Sequence, residues 1–252
     1  MNYIDPISLF KQNNFSTTTW WQLKSNIQGF QNEAGSNLIT EICESRFFRL
    51  VEITLNNIDW KKKRRLLVQL FEDGYLCWIN IDQLICTKEN AYKKEKFLCD
   101  NEIIKNAMPV VLNWIKFQSE LKNHYLWGGT IGPHFDCSGL IQAAFMKHDI
   151  YLPRDSYQMK NFCKEINKPP LDINKLKIGD LLFFGNSLNC NHVGIYFKNG
   201  FYFHSSGKEN GRDGIGLDTL KDSKDPISSY YQSKLICIGR ITRSYRWDKT
   251  IR

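Results

Sequence analysis

The chain has 252 residues, 42% of them hydrophobic and 13% aromatic, enough apolar material for one substantial core or two smaller ones. Its formal net charge of +8 is concentrated in Lys61-Lys62-Lys63-Arg64-Arg65, but no alternating aromatic and basic positions surround that run, so it reads as a solvated loop and not as a nucleic-acid surface. No apolar stretch approaches a membrane span, and Met1-Asn2-Tyr3-Ile4-Asp5-Pro6 lacks the basic and apolar regions of a secretion signal; a cytoplasmic protein with eight reduced cysteines is expected.

Taken in chain order, residues 1–19 read as an N-terminal extension. Residues 20–87 alternate short apolar strands with polar turns. Residues 88–100, rich in lysine and polar side chains, read as a connector to a second domain at 101–252. That domain opens with a helical period through Ile103, Ile104, Ala107, Val110, Val111, Trp114, Ile115 and Leu121. Tyr125-Leu126-Trp127-Gly128-Gly129 and a short loop then lead to Phe135-Asp136-Cys137-Ser138-Gly139-Leu140, where a second helix begins with Cys137 in its first turn. Strands are predicted at 181–185, 192–197, 201–205 and 235–241, so the chain is of the α+β class.

Cys137 is the candidate nucleophile, and its position at the helix start is not sufficient to activate it. The helix dipole contributes up to ~2 kcal/mol and one pKa unit is ~1.4 kcal/mol, so a thiol of pKa ~8.5 falls by little more than about one unit. Asp136 opposes even that, because a neighbouring negative charge raises a thiol's pKa. A histidine partner is required. Of the five histidines, His192 and His204 lie on the strands flanking Lys198-Asn199-Gly200, while His124, His134 and His148 read as solvated or structural.

The loop length decides whether those two cooperate. A two-residue Asn-Gly turn puts His192 and His204 on opposite faces of the hairpin. A three-residue loop with Gly200 left-handed pairs Phe197 with Phe201, gathers Val193, Ile195, Phe197, Phe201 and Phe203 on one face, and places His192, Gly194, Tyr196, Tyr202 and His204 on the other. His204 is then diagonal to His192, ~7 to 8 Å away along the backbone, within reach of two imidazoles. The three-residue loop is the expectation, and the resulting set is a nucleophile, a base and a residue that orients the base. Cys190-Asn191-His192 juxtaposes two metal-ligand types, yet no second pair at zinc spacing follows, so neither a metal nor another cofactor is expected.

The ordered motifs Tyr-Leu-Trp-Gly-Gly (125–129), Asp-Cys-Ser-Gly-Leu (136–140), Leu-Pro-Arg-Asp-Ser-Tyr-Gln (152–158), Gly-Asp-Leu-Leu-Phe-Phe (179–184), His-Val-Gly-Ile-Tyr (192–196) and Phe-His-Ser-Ser (203–206) resemble the NlpC family of cell-wall peptidases over about residues 100–242. The resemblance implies a papain-like domain, helices packed on an antiparallel sheet, acting on peptidoglycan peptides. Cys137 would be the nucleophile, His192 the base, His204 the third polar residue, and Tyr125 a hydrogen-bonding group near the thiol or the oxyanion. In the N-terminal half, Phe71-Glu72-Asp73-Gly74-Tyr75-Leu76-Cys77-Trp78 is similar to the bacterial SH3-type barrel of cyanobacterial γ-D-glutamyl-L-diamino acid endopeptidases, although Leu76-Cys77 replaces the usual Pro-Gly. Those enzymes act on peptides with a free N-terminal L-alanine, such as murein tripeptide.

An alanine ammonium needs carboxylate or hydroxyl partners when buried. Asp136, Asp155, Ser156 and one of Glu72 or Asp73 are the candidates, with Ser138 and Tyr75 as further substrate contacts. Helix capping is the competing role for Asp136, and a turn or cap for Asp155 and Ser156. Two other functions stay open on sequence: a papain-like amidase or acyltransferase acting on another amide or lipid, and a non-catalytic wall-binding protein.

Overall fold

A computed structural model describes residues 18–51, 64–89, 100–186, 188–221 and 224–247. The N-terminal extension up to residue 17, Lys61 to Lys63 of the basic run, and residues 90–99 of the connector lie outside the described residues. The chain divides into two compact units, Met1–Lys96 with Arg246–Arg252, and Phe97–Tyr245.

Among the described residues the first unit holds seven short strands: β1 (Trp20–Leu23), β2 (Ile27–Phe30), β3 (Leu38–Ile42), β4 (Phe47–Leu50), β5 (Arg65–Leu70), β6 (Leu76–Asn80) and β7 (Cys86–Glu89). Alternation is cleanest in β5, where Leu66, Val68 and Leu70 are buried and the residues between them are not. This is the period-two signature of a sheet with one covered face. The buried positions converge on one core around Trp21, Leu23, Ile42, Phe48, Val68 and Ile79. All pairings are antiparallel, in the order β3-β2-β6-β5-β4-β1-β7. Among the described residues the outer strands β3 and β7 do not pair, so the sheet is unclosed there and does not show the expected SH3-like barrel. Trp247 belongs to this unit: its indole N–H donates to the Phe71 carbonyl at 2.6 Å, and the Arg49 guanidinium sits 5.3 Å from its ring.

The second unit runs α1 (Asn101–Glu120), α2 (Cys137–Met146), α3 (Ser156–Phe162), β8 (Lys164–Asn167), β9 (Leu181–Gly185), β10 (Cys190–Lys198), β11 (Phe201–Ser206), β12 (Gly214–Thr219), α4 (Pro226–Ser233) and β13 (Leu235–Arg240). Among the described residues its six strands form an antiparallel sheet in the order β12-β11-β10-β9-β13-β8. β9 is buried on both sides: Leu181 and Phe183 join the larger core with α1, α2 and α3, while Leu182 and Phe184 join a smaller core with Tyr196, Tyr202 and Tyr231 of α4. The expected helices on an antiparallel sheet are therefore present, with helical cover on both faces.

Helix α1 is capped by Asp100, whose carboxylate accepts from the Glu102 and Ile103 N–H groups at 3.0 and 3.1 Å. Its core face differs from the expected one. Ile104, Met108, Val111, Leu112, Ile115 and Gln118 are buried, whereas Ile103, Val110 and Leu121 are exposed. The helix carries two apolar stripes, and the neighbours α2 and β12 select the one led by Ile104. Among the described residues no helix is long and apolar enough to cross a membrane.

Candidate active site

The hairpin that carries the histidines solves the register in a way the sequence reading did not foresee. Lys198 pairs with Phe201 across a two-residue Asn199-Gly200 turn, and a bulge between Tyr196 and Lys198 then absorbs one residue. Asn199 and Gly200 both have positive φ, 54° and 88°, as a two-residue hairpin turn with matching twist requires. Beyond the bulge Tyr196 faces Tyr202 and Ile195 faces Phe203, the pairing that a three-residue loop would have produced. The expected loop length is thus corrected and the expected faces stand, because one extra residue in the strand and one extra in the loop shift the register equally. Phe201, expected on the face of Val193, Ile195, Phe197 and Phe203, is 41% exposed, while Phe197 packs beside Phe203.

The consequence is a direct contact. His192 Nε2 and His204 Nδ1 lie 2.8 Å apart, both rings buried. Gly194 makes room for it: a Cβ there would stand 2.8 Å from Tyr202 Cδ2 and 3.0 Å from the Phe203 carbonyl. Tyr231 of α4 closes over the pair, stacked on His192 at 4.7 Å and edge-on to His204 at 4.6 Å. Burial depresses both imidazoles, His192 well below its ordinary value, with His204 as the second influence on His192. Both therefore rest neutral near pH 7.

Cys137 is the first residue of α2 and is buried. Its thiol is within hydrogen-bonding reach of the backbone of Val193, the neighbour of His192, and of Ser138. Burial, and then the Asp136 charge, push that thiol up to about 12, so the resting pair is a thiol and a neutral imidazole. The Tyr125 phenol is pushed up by burial and next by Cys137, which puts it in the thiol's electrostatic neighbourhood. Tyr125 is held by a parallel bridge to Phe135, and Ser205 Oγ donates to the Phe135 carbonyl at 2.7 Å.

Asp136 caps α2, accepting from the Gly139 N–H at 2.6 Å, and also accepts from the Gly128 N–H at 2.9 Å. Arg154, buried and given no role by the motif that contains it, pairs with it through Nη1 at 3.1 Å and Nη2 at 2.5 Å. Arg154 Nη1 also donates to Ser138 Oγ at 3.0 Å. The carboxylate beside the thiol is thus engaged by protein donors that join the Trp-Gly-Gly loop, helix α2 and the Leu-Pro-Arg motif. Asp155 occupies the N-cap position of α3, where its N–H donates to Gln158 Oε1 at 3.2 Å. Ser156 Oγ lies 3.4 Å from the Cys190 carbonyl.

Glu72, Asp73 and Tyr75 lie in the N-terminal unit at the β5–β6 turn. Arg46 Nε donates to Glu72 Oε2 at 3.0 Å, and Arg46 Nη2 lies 2.9 Å from Asp73 Oδ2. Glu72 Oε1 accepts from the Phe47 N–H at 2.9 Å, and Asp73 Oδ1 from the Tyr75 N–H at 3.0 Å. Both acids are buried in a salt bridge internal to that unit. Sequence reasoning also missed Asp218, 2.6 Å from His204 Nε2; the available signal was parity, since the β11–β12 pairing puts Tyr202 opposite Asp218 and His204 opposite Gly216 on one face.

Residues 122–240 match the model of the NlpC/P60 family. Among curated proteins, the bifunctional muramidase/DL-endopeptidase CwlT of Bacillus subtilis (strain 168) is 37% identical over 149 residues, 54% of this chain and 40% of that one. A γ-D-glutamyl-L-lysine dipeptidyl-peptidase of the same strain is 32% identical over 133 residues, 48% of this chain and 43% of that one. Dipeptidyl-peptidase 6 of Lysinibacillus sphaericus is 34% identical over 201 residues, 75% of this chain and 64% of that one. The chain spans less than two thirds of the length of each of these relatives. The matched segment begins just after α1 and ends with β13, so the part of this chain that resembles the NlpC/P60 family holds Cys137, His192 and His204 together with the sheet that aligns them.

Proposed function

We propose that the chain is a cysteine endopeptidase that hydrolyses the γ-D-glutamyl-diamino acid bond of peptidoglycan-derived peptides bearing a free N-terminal L-alanine. The observation that carries the reading is the buried 2.8 Å contact between His192 and His204, with the backbone of Val193, the residue after His192 on β10, within hydrogen-bonding reach of the Cys137 thiol. The printed names of two relatives, a γ-D-glutamyl-L-lysine dipeptidyl-peptidase and a DL-endopeptidase, support the bond class. The free amine rests on the motif resemblance.

Because the thiol and the imidazole both rest neutral, attack and proton transfer go together. His192 takes the Cys137 proton as sulfur bonds to the γ-glutamyl carbonyl carbon. The C–N bond then breaks, the imidazolium returns the proton to the departing amine, and a γ-glutamyl thioester remains. Water, deprotonated by His192, adds to the thioester carbon; the C–S bond breaks, the acid leaves and the thiol is restored. The Cys137 N–H, at the first position of α2, has no partner within the helix and is the natural donor to the oxyanion.

Incubation with L-Ala-γ-D-Glu-diaminopimelate and with its N-acetylated form, followed by mass spectrometry, tests the whole reading. Cleavage of the free peptide alone is expected. Cleavage of both refutes the amine requirement, and cleavage of neither refutes the peptidase.

A further inference from the structure

Beyond the two histidines the hydrogen-bonded chain continues inward. His204 Nε2 meets Asp218 Oδ2 at 2.6 Å, and the Asp218 side chain is fully buried on β12. Asp218 Oδ1 in turn accepts from Arg212 Nη2, which also reaches Asp225 Oδ2 at 2.9 Å, and from Ser228 Oγ at 3.3 Å. This is a line of four side chains, His192, His204, Asp218 and Arg212, drawn from three strands and the β11–β12 loop.

The line has a direction. Arg212 can only donate, so the Asp218 carboxylate beside it stays ionised and can only accept. An accepting Asp218 requires the proton of neutral His204 to sit on Nε2, which leaves Nδ1 as a bare lone pair. A lone pair on His204 Nδ1, 2.8 Å from His192 Nε2, requires that nitrogen to carry its proton. The remaining nitrogen of His192, Nδ1, is then unprotonated. We infer that Asp218 is a positioning residue that sets the tautomers of both histidines, so that His192 always offers a bare Nδ1 as base. With no fixed acceptor at the inner end, the line could run either way, and half of its states would present His192 with its proton on the wrong nitrogen.

Ionisation agrees with this geometry. Asp218 lies below the ordinary carboxylate range: burial alone would raise it, and the hydrogen bonds from His204 and Arg212 overcome that. Both imidazoles are depressed by burial and rest neutral, the state in which a tautomer is defined.

The inference rests on the peptidase reading for its purpose but not for its test. Histidine-ring 15N labelling with long-range 1H–15N correlation spectra at pH 7.5 reads the tautomers directly in the wild-type protein. The expected pattern is a neutral ring with the proton on Nε2 for both His192 and His204, each assigned by its own asparagine substitution. A proton on His192 Nδ1, or an imidazolium there, overturns the inference whatever the enzyme cleaves. In Asp218→Asn, whose side chain can donate as well as accept, His204 and His192 are expected to shift to mixed or reversed tautomers. The turnover number should fall by about 10- to 100-fold at little-changed KM, less than the ~10⁴ seen when an aspartate directly beside a catalytic base is amidated. Unchanged tautomers with a lower melting temperature would show Asp218 to be merely structural and overturn the inference. Should the variant fail to fold, the wild-type spectra still decide. The expected tautomers in a protein inert toward both peptides would refute the peptidase reading and leave the inference standing.

Discussion

At the scale of single residues, the site is governed by burial. Removing a thiol from water pushes it up and removing an imidazole pushes it down, so Cys137 and His192 are driven apart into a neutral pair. Two measurable effects follow from the depressed histidines. The acidic limb of kcat/KM, which reports the free base, should fall below the ordinary histidine value of ~6.5; a limb at or above it contradicts the assignment of His192. Stability has the same sign. A depressed imidazole binds its proton more readily in the unfolded chain, so its contribution is complete above ~6.5 and is lost as pH falls through the folded value. Urea midpoints of the second unit should therefore drop steadily below pH 6.5. Arg154 illustrates the cost of such burial from another side: removing it would leave Asp136 uncompensated beside the thiol, a loss of about 3–5 kcal/mol for a broken buried pair.

At the scale of elements, the β10–β11 hairpin decides whether the site exists. Gly194 is the position where backbone and chemistry meet, because its missing side chain leaves the space between Tyr202 and the Phe203 carbonyl. In Gly194→Ala the added methyl must displace β11 and carry His204 with it. The expected result is a loss of at least about tenfold in kcat/KM, with about 1–3 kcal/mol of destabilisation from overpacking; wild-type kinetics would show that the 2.8 Å contact is not required. The hairpin also shows how much was legible in the sequence. Cys137 at a helix start could be read directly, since motif order needs no knowledge of neighbours, while the shared face of the two histidines was reached through a loop length that the structure corrects. The turn could not, because Asn199-Gly200 admits two loop lengths and a bulge makes them equivalent at His192. Asp218 was hidden behind the seven residues 207–213, where Asn210-Gly211 marks a turn but the length of the connection leaves the register of β12 open. Arg154 was hidden because its partner is chosen by tertiary packing, and the stripe of α1 because two apolar rows compete for one face.

At the scale of the whole molecule the described residues form three cores, one drawn from residues 21–86 and two from 104–241. The sheet of the first unit has its β5–β6 turn covered by a residue from the other end of the sequence. Gly74, at φ 70°, has no room for a side chain because Trp247 Cγ would lie 2.5 Å from its Cβ. Trp247→Ala should accordingly weaken the first unit, by about 1–3 kcal/mol, less than the ~3–5 of a fully buried tryptophan. Hydrogen exchange monitored peptide by peptide should report it as faster exchange in β5 and β6 with β9 to β11 unchanged; the reverse pattern would place Trp247 in the wrong unit. The return of Trp247 also imposes an order of events during synthesis. The N-terminal unit leaves the ribosome first, yet the residue that completes it follows the entire 97–245 segment. Of these two units the one made earlier is therefore finished later, and the Cys137 helix and the β10–β11 hairpin can fold while their neighbour in the sequence still waits for Trp247.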